Sequence, residues 1–350
     1  MAAAQSRAMV LVNDVRVGYL IFEFNNLNHL FAGGPAEEFP PILSLPEPAA
    51  RFNHGVAWDC LTIAVSGNLV AAVAADDART LLCDTGSRSI SAGPDMLSSK
   101  PAIVLVPVAG MFFAMSRLPH RDPEGAHHFE LLLRLHDTEE EEEEENRRRW
   151  AWLPIPDPPL LSSPEWYFSA CFVAGAHIWV SICGEGTFTF DTARRRWHKE
   201  GTWELPVMMG QAILVPDFLG DSRQLLFGFC SKEEGGHFCA VDMEARPPAI
   251  IKSWPEARFS RLGYRPVLET ASLAYFGGGR FCISMLIDTG YIYNYKPFVT
   301  NDMTNNLVRL TRQAITFSAV EVTPELQLLI RKDEWYSMPL GSTLCSMYNI

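Results

Sequence analysis

Eight cysteines and nine histidines are the side chains of this 350-residue chain best suited to metal binding or nucleophilic chemistry. Cys60, Cys83, Cys171, Cys183, Cys230, Cys239, Cys282 and Cys345 include no C-x-x-C pair, and most sit in apolar runs such as LLCDT, SACFV and GRFCIS. Zinc sites and disulfide frameworks need paired spacings, so these read as reduced thiols packed in a core. His237 and Cys239 stand two apart and would share one face of a strand. A histidine there could take a thiol proton; a buried cysteine beside a histidine at a strand start is the plainer reading. His120, His127, His128 and His136 form the densest histidine group. The adjacent pair would point to opposite strand faces, and we read the group as part of a solvated loop rather than a metal centre. No H-E-x-x-H, G-x-S-x-G or phosphate-loop motif is present. Gly184-Glu185-Gly186 and Gly277–Gly279 read as turns, and Asp76-Asp77 and Glu233-Glu234 as solvated turn acids. The sequence thus assigns no catalytic residue, no cofactor and no metal ligand.

Loop chemistry points instead to contact with other molecules. Asp137-Thr138 leads into Glu139–Glu145, Asn146 and Arg147–Arg149. Like charges repel, so residues 137–149 are expected to be a disordered acidic insertion: either a tolerated expansion, the reading we adopt, or a lure for a basic partner. Pro154–Pro159 is stiff and precedes Leu160 and Leu161, which are expected to be exposed. A second inserted loop, 288–312, carries Tyr291, Tyr293 and Tyr295, aromatics suited to a binding patch. Either of the last two loops could equally fold down over the structure it leaves.

The elements that must hold such loops repeat. AVSGNLVAAVAADDARTLLCDTGSRSISAGPDM, from Ala64, aligns with FVAGAHIWVSICGEGTFTFDTARRRWHKEGTWELP, from Phe172. Each reads as a glycine turn, two strands, an Asp-Thr turn and a further strand. Weaker echoes surround Gly110 and Gly279, and in a fifth segment, DSRQLLFGFC then HFCAVDMEARP, Asp242 takes the place of Asp84. Glycines at 67, 110, 175, 220 and 279 are 43, 65, 45 and 59 residues apart. A period near 45 with inserted loops is that of β-propeller blades, and helical periodicity is nearly absent. The Asp-Thr pairs should close hairpins, and Trp152, Trp197 and Trp335 should pack between blades. The expectation is an all-β fold: one β-propeller domain over residues 1–350, of six blades of four-stranded antiparallel sheet, closed by the N- and C-terminal strands.

TLLCDTGSRSISAGPDM, HIWVSICGEGTFTFDTARRRWHKEGTWELPV, GGGRFCISM and AITFSAVEV…LLIRKDEWYSMP together resemble a plant family expanded in grasses, the kelch-like domain of unknown function sixteen-sixty-eight. The resemblance covers about residues 8 to 340. It implies a kelch-type propeller with no established general biochemistry. No room is expected before the repeats for the F-box that many plant kelch proteins carry.

Charge sets the remaining bounds. The net charge is −12, but residues 137–149 hold eight acids against three arginines, −5, leaving −7 for the rest. With no basic patch or motif noted, nucleic acid is not expected as a partner. The longest apolar run, Pro101–Met115, is broken by Pro107 and Gly110 and too short to span a membrane. The absence of N-x-Ser/Thr sequons and the thiol usage suggest an intracellular protein, cytoplasmic or nuclear; Arg7, Arg16 and the alanine-rich start leave a mitochondrial alternative. The function expected is a non-enzymatic protein-interaction scaffold with unknown protein partners. The alternative is a propeller enzyme or small-ligand binder using a central pocket.

Overall fold

Residues 7–14, 17–32, 41–52, 61–135, 150–159, 167–208, 212–220, 223–230, 236–255, 265–291, 311–338 and 342–349 are described by a computed structural model of the chain. They are all-β, with three short 3-10 turns and no α-helix.

The chain opens with β1 (Arg7–Asp14), β2 (Gly18–Asn25), β3 (Ile42–Ser44) and β4 (Ala50–Phe52). Unit II is the meander β5 (Leu61–Ser66), β6 (Leu69–Ala74), β7 (Thr80–Asp84) and β8 (Ser89–Ala92). Unit III is β9 (Ile103–Val108), β10 (Met111–Ser116), β11 (Phe129–Arg134) and β12 (Trp150–Pro154). Unit IV is β13 (Phe168–Ala174), β14 (His177–Ile182), β15 (Gly186–Asp191) and β16 (Arg196–Gly201). Unit V is β17 (Ala212–Val215), β18 (Leu225–Phe229), β19 (Phe238–Asp242) and β20 (Ala249–Trp254). A two-residue parallel pairing, Phe172↔Ala212 and Val173↔Ile213, joins units IV and V into one eight-stranded sheet. Unit VI is β21 (Arg265–Tyr275), β22 (Arg280–Tyr291), β23 (Thr311–Val322) and β24 (Leu328–Ser337), with β3 added in parallel at its edge. The last strand, β25 (Ser342–Asn349), pairs with β1, so unit I has the order β25-β1-β2-β4.

Turn chemistry sets this meander. The five marker glycines all lie between the first and second strands of units II to VI. Each has a positive φ: 60° at Gly67, 80° at Gly110, 59° at Gly175, 87° at Gly220 and 75° at Gly279. A side chain would strain that left-handed backbone. Between the third and fourth strands an aspartate caps the hairpin. Asp84 Oδ1 accepts from Gly86 N (2.9 Å) and Ser87 N (3.1 Å), and Asp191 Oδ1 from Ala193 N (3.0 Å) and Arg194 N (2.9 Å). Asp242 Oδ1 accepts likewise from Glu244 N (2.9 Å). Each carboxylate mimics a backbone turn acceptor.

Strands buried on both faces read as nearly continuous apolar runs. In β10, Phe112 and Ala114 join a buried cluster with unit II, while Phe113 and Met115 join one with unit IV. Six such clusters among the described residues each lie between consecutive units; one spans units VI and I, another I and II. Trp197 seats its ring 5.0 Å from Phe190 and 5.5 Å from Phe129 of unit III, and its Nε1 donates to Pro156 O at 2.8 Å. Trp152 donates to Thr80 Oγ1 of unit II at 2.9 Å. Trp335 is buried in the cluster between units V and VI.

One expected loop meets strands here. Tyr291 pairs with Thr311 and Asp288 with Gln313, so the hairpin ladder runs into both ends of the 288–312 span. Residues 292–310 and the acidic segment 137–149 lie outside the described residues.

Candidate interaction surface

In a meander the start of the first strand lies beside the end of the second. Leu61 pairs with Ala74, Ile103 with Ser116 and Phe168 with Ile182. The glycine and aspartate turns lie at the opposite end, where Leu69 meets Asp84 and His177 meets Asp191. Neighbouring units run the same way: Lys100 N donates to Ala75 O at 3.0 Å, and Phe168 N to Arg117 O at 3.2 Å. The chain therefore has two rims. One carries the connections that enter first strands and leave second strands; the other carries the glycine and aspartate turns.

The sequence-selected contact residues take positions of the first kind. Leu160 and Leu161 belong to the connection entering β13, and Tyr293 and Tyr295 to the one leaving β22; all four lie outside the described residues. Tyr291 is the last residue of β22, placed by its backbone only. The acidic segment connects β11 to β12 and so leaves from the opposite rim.

The proline run ahead of Leu160 is tacked down on unit III. Ile155 N donates to Phe129 O at 3.2 Å, and Asp157 Oδ1 accepts from Phe129 N at 3.0 Å. The Asp157 residue is exposed, but its carboxyl end turns inward. Burial raises its pKa above the usual carboxylate range against the pull of His128, the Phe129 amide and His127. The other end of the connection is held where Tyr167 O accepts from Cys183 N at 3.0 Å. Tyr167 is 39% exposed. The neighbouring Cys183 thiol raises its phenol pKa. Glu204 secures this corner by accepting from Gly184 N (2.9 Å) and Ser169 Oγ (3.0 Å).

The chemistry-bearing groups on this rim are occupied in holding loops. His128 Nδ1 and Ser116 Oγ each lie 2.7 Å from a different oxygen of Asp122, whose side chain is fully buried. Asp122 stands between serine and histidine, so no histidine is placed to activate the serine hydroxyl. His127 is held through its amide on Ser98 Oγ at 2.9 Å. Among the described residues no three of His, Cys, Asp and Glu stand close enough to share a metal ion.

His237 and Cys239 do not form a dyad. Cys239 is fully buried in the apolar cluster between units IV and V, whereas the His237 amide meets Cys230 Sγ at 3.1 Å. Burial raises the thiols of Cys83, Cys171 and Cys282. Cys171 is pushed up to about 12 by desolvation, and Cys83 is raised by burial with Asp84 and Glu23 adding to it. Thiols held this high stay protonated and are poor nucleophiles.

Two polar clusters had no sequence signal. Lys100 and Glu130, both side chains fully buried, form an ion pair, and Glu130 also accepts from Leu97 N (2.7 Å) and Ser98 N (3.1 Å). Glu334 accepts from His29 Nε2, Lys332 Nζ and Tyr336 OH, each at 2.9 Å. Burial pushes its carboxyl up, but those three donors together hold it below the ordinary value. The partners are 30 and 305 residues apart for Lys100–Glu130 and His29–Glu334, with no repeat or motif linking them.

Comparison with known proteins adds a family. The family described as "Protein of unknown function (DUF1668)" matches residues 6–336. No curated protein matches the chain. Among solved structures, hydrazine synthase of Kuenenia stuttgartiensis is similar at 9% identity and a TM-score of 0.36, over 77% of this chain. This chain spans 64% of that one, and a likeness so distant transfers nothing. No helix among the described residues is long and apolar enough to cross a membrane.

Proposed function

The chain belongs to the DUF1668 family, and on that premise we propose that it is a non-enzymatic protein-interaction scaffold, a six-bladed kelch-type ring that presents loops to a partner. The observation that carries this reading is the shared meander position of the 155–166 and 292–310 connections. Rigid sheets hold their flanking strands while the connections themselves are long, the arrangement by which scaffolds display recognition loops. The polar groups beside them are engaged within the fold: Asp157 and Glu204 accept from backbone amides, and Asp122 bonds the His128 and Ser116 side chains.

Affinity purification of the tagged full-length chain from its native tissue tests this. Specific protein partners are expected, and they should be lost when Leu160, Leu161, Tyr293 and Tyr295 are replaced by serine. A clean absence of partners would return the alternative of a ligand-binding or catalytic central pocket. We also place the protein inside the cell, in cytoplasm or nucleus. The described free thiols Cys83, Cys171, Cys183, Cys230, Cys239 and Cys282 support this. Imaging a full-length reporter fusion checks it, and mitochondrial fluorescence would overturn it.

A further inference from the structure

The outermost strand of unit IV differs from its counterparts. Among the described residues strand β16 lies at one edge of the eight-stranded sheet, and the turn and strand from Arg194 read RRRWHKEG: four formal positive charges against one acid, Glu200, which is half-buried and accepts from Thr189 Oγ1 at 2.8 Å, in a chain of net charge −12. Arg195, Arg196, His198 and Lys199 are all exposed. Arg194 is tied to Asp191 at 2.9 Å, and Lys199 lies 5.2 Å from the Phe188 ring centroid; no ion pair among the described residues neutralises Arg195, Arg196 or Lys199. Within the strands themselves the other outer strands carry less unpaired positive charge, although Arg147–Arg149, outside the described residues, precede β12 as Arg194–Arg196 precede Trp197. Strand β8 is Ser-Ile-Ser-Ala, β12 is Trp-Ala-Trp-Leu-Pro, and β20 has Lys252 alone. On β24, Arg331 is paired with Glu321 and Lys332 with Glu334.

The edge is also rigid. The Asp191 cap fixes the turn, Arg195 holds a φ of 54°, and Trp197 is pinned to Pro156 O. Lysines on edge strands commonly keep other edges away. An edge guarded by charge of one sign still admits a strand of the opposite sign, because main-chain hydrogen bonds and charge pairing then act together. We propose that the β16 edge docks an extended acidic peptide segment of a partner protein. The proposal rests on reading the chain as an interaction scaffold, and names its surface and the chemistry of its partner.

The test is fluorescence anisotropy of a labelled Glu/Asp-rich peptide with the full-length protein. The peptide is expected to bind, to weaken as salt rises from about 50 to 300 mM, and to lose at least about ten-fold in affinity with R195E/R196E/K199E. Circular dichroism and thermal melting of that variant should match the parent. If it fails to fold, the neutral Arg195→Gln and Lys199→Gln variants carry the same comparison with about three-fold losses each. A peptide with alternate amides N-methylated keeps its charge and should not bind. Absence of binding to the parent, equal binding to the reversed variant, or equal binding of the N-methylated peptide or polyphosphate each overturns the proposal. A ten-fold gain on deleting Glu139–Glu145 overturns the separate partner and assigns the edge to the chain's own acidic run. Partners captured equally by parent and R195E/R196E/K199E would sink this surface and leave the scaffold reading standing. Peptide binding without any captured partner would do the reverse.

Discussion

Unit III is held on its two faces by different chemistry. Toward unit II it meets the small side chains Ala64, Ala71 and Val73, and fills that shallow surface with Phe112, Leu132 and Trp152. The same seam holds the Lys100–Glu130 pair, with Glu130 bonded to two backbone amides. Toward unit IV the seam is aromatic. Phe129 lies 4.8 Å from Phe190 and 5.5 Å from Trp197, with Phe113 6.2 Å from Phe190. A dry aromatic seam is stabilised by area and shape and tolerates small changes of volume. A buried ion pair is stable only while both charges and their hydrogen bonds are intact. One repeat can therefore be joined to its neighbours by two mechanisms with the same backbone.

The sharpest way to break this contrast is Glu130→Ala, which strands the Lys100 ammonium and two amides in the interior. Denaturant unfolding is expected to show a loss of about 3–5 kcal/mol. A double replacement, Lys100→Met with Glu130→Leu, should recover most of it; failure to recover would mean that the amide bonds, not the charges, dominate. Phe190→Ala attacks the other seam and should cost about 3–4 kcal/mol through lost transfer energy and cavity, whereas Phe190→Leu should cost about half that. Equal losses for the two would contradict a tolerant apolar seam. Smaller still, Trp152→Phe and Trp197→Phe keep a ring but remove one hydrogen bond each, to Thr80 and Pro156. The buried Trp152 bond should be worth about 1 kcal/mol and the outer Trp197 bond less, read from urea midpoints.

The smallest effect concerns pH and has opposite signs at two aspartates of these units. Asp191 is held below its usual pKa by the Arg194 amide and guanidinium, so its stabilising contribution exists above the ordinary carboxylate range and is lost as pH falls through the lowered value. Asp157 is raised by burial, so its contribution runs the other way: the fold gains as pH falls through the raised value and loses as pH rises through it. Melting curves between about pH 3 and 6 should flatten from opposite directions in Asp191→Asn and Asp157→Asn, and the same change in both would refute the assignment.

The repeat was legible in the sequence because its causes are local. Gly67 and Gly175, or Asp84 and Asp191, act within three or four residues of themselves, so a single segment displays the whole device. The place of Trp197 between units followed from its position after a tight turn. The contact residues were only partly legible: the meander shows which connections carry Leu160, Leu161, Tyr293 and Tyr295, but side-chain placement is not local information. The apparent Cys–His pair failed for the same reason. Two residues apart on paper, Cys239 is drawn into the core between units, and His237 precedes the strand start at Phe238.

The sequence by itself therefore determined an all-β chain of repeated meanders, its turns and its family, because turn geometry and alternating burial are written within a few residues. Tertiary structure alone decided that Lys100 finds Glu130, that His29 meets Glu334, and that strand β16 lies at a sheet edge among the described residues. Those pairings join residues 30 to 305 apart, and a charge buried at such a distance is stable only once the sheets that exclude water around it have assembled.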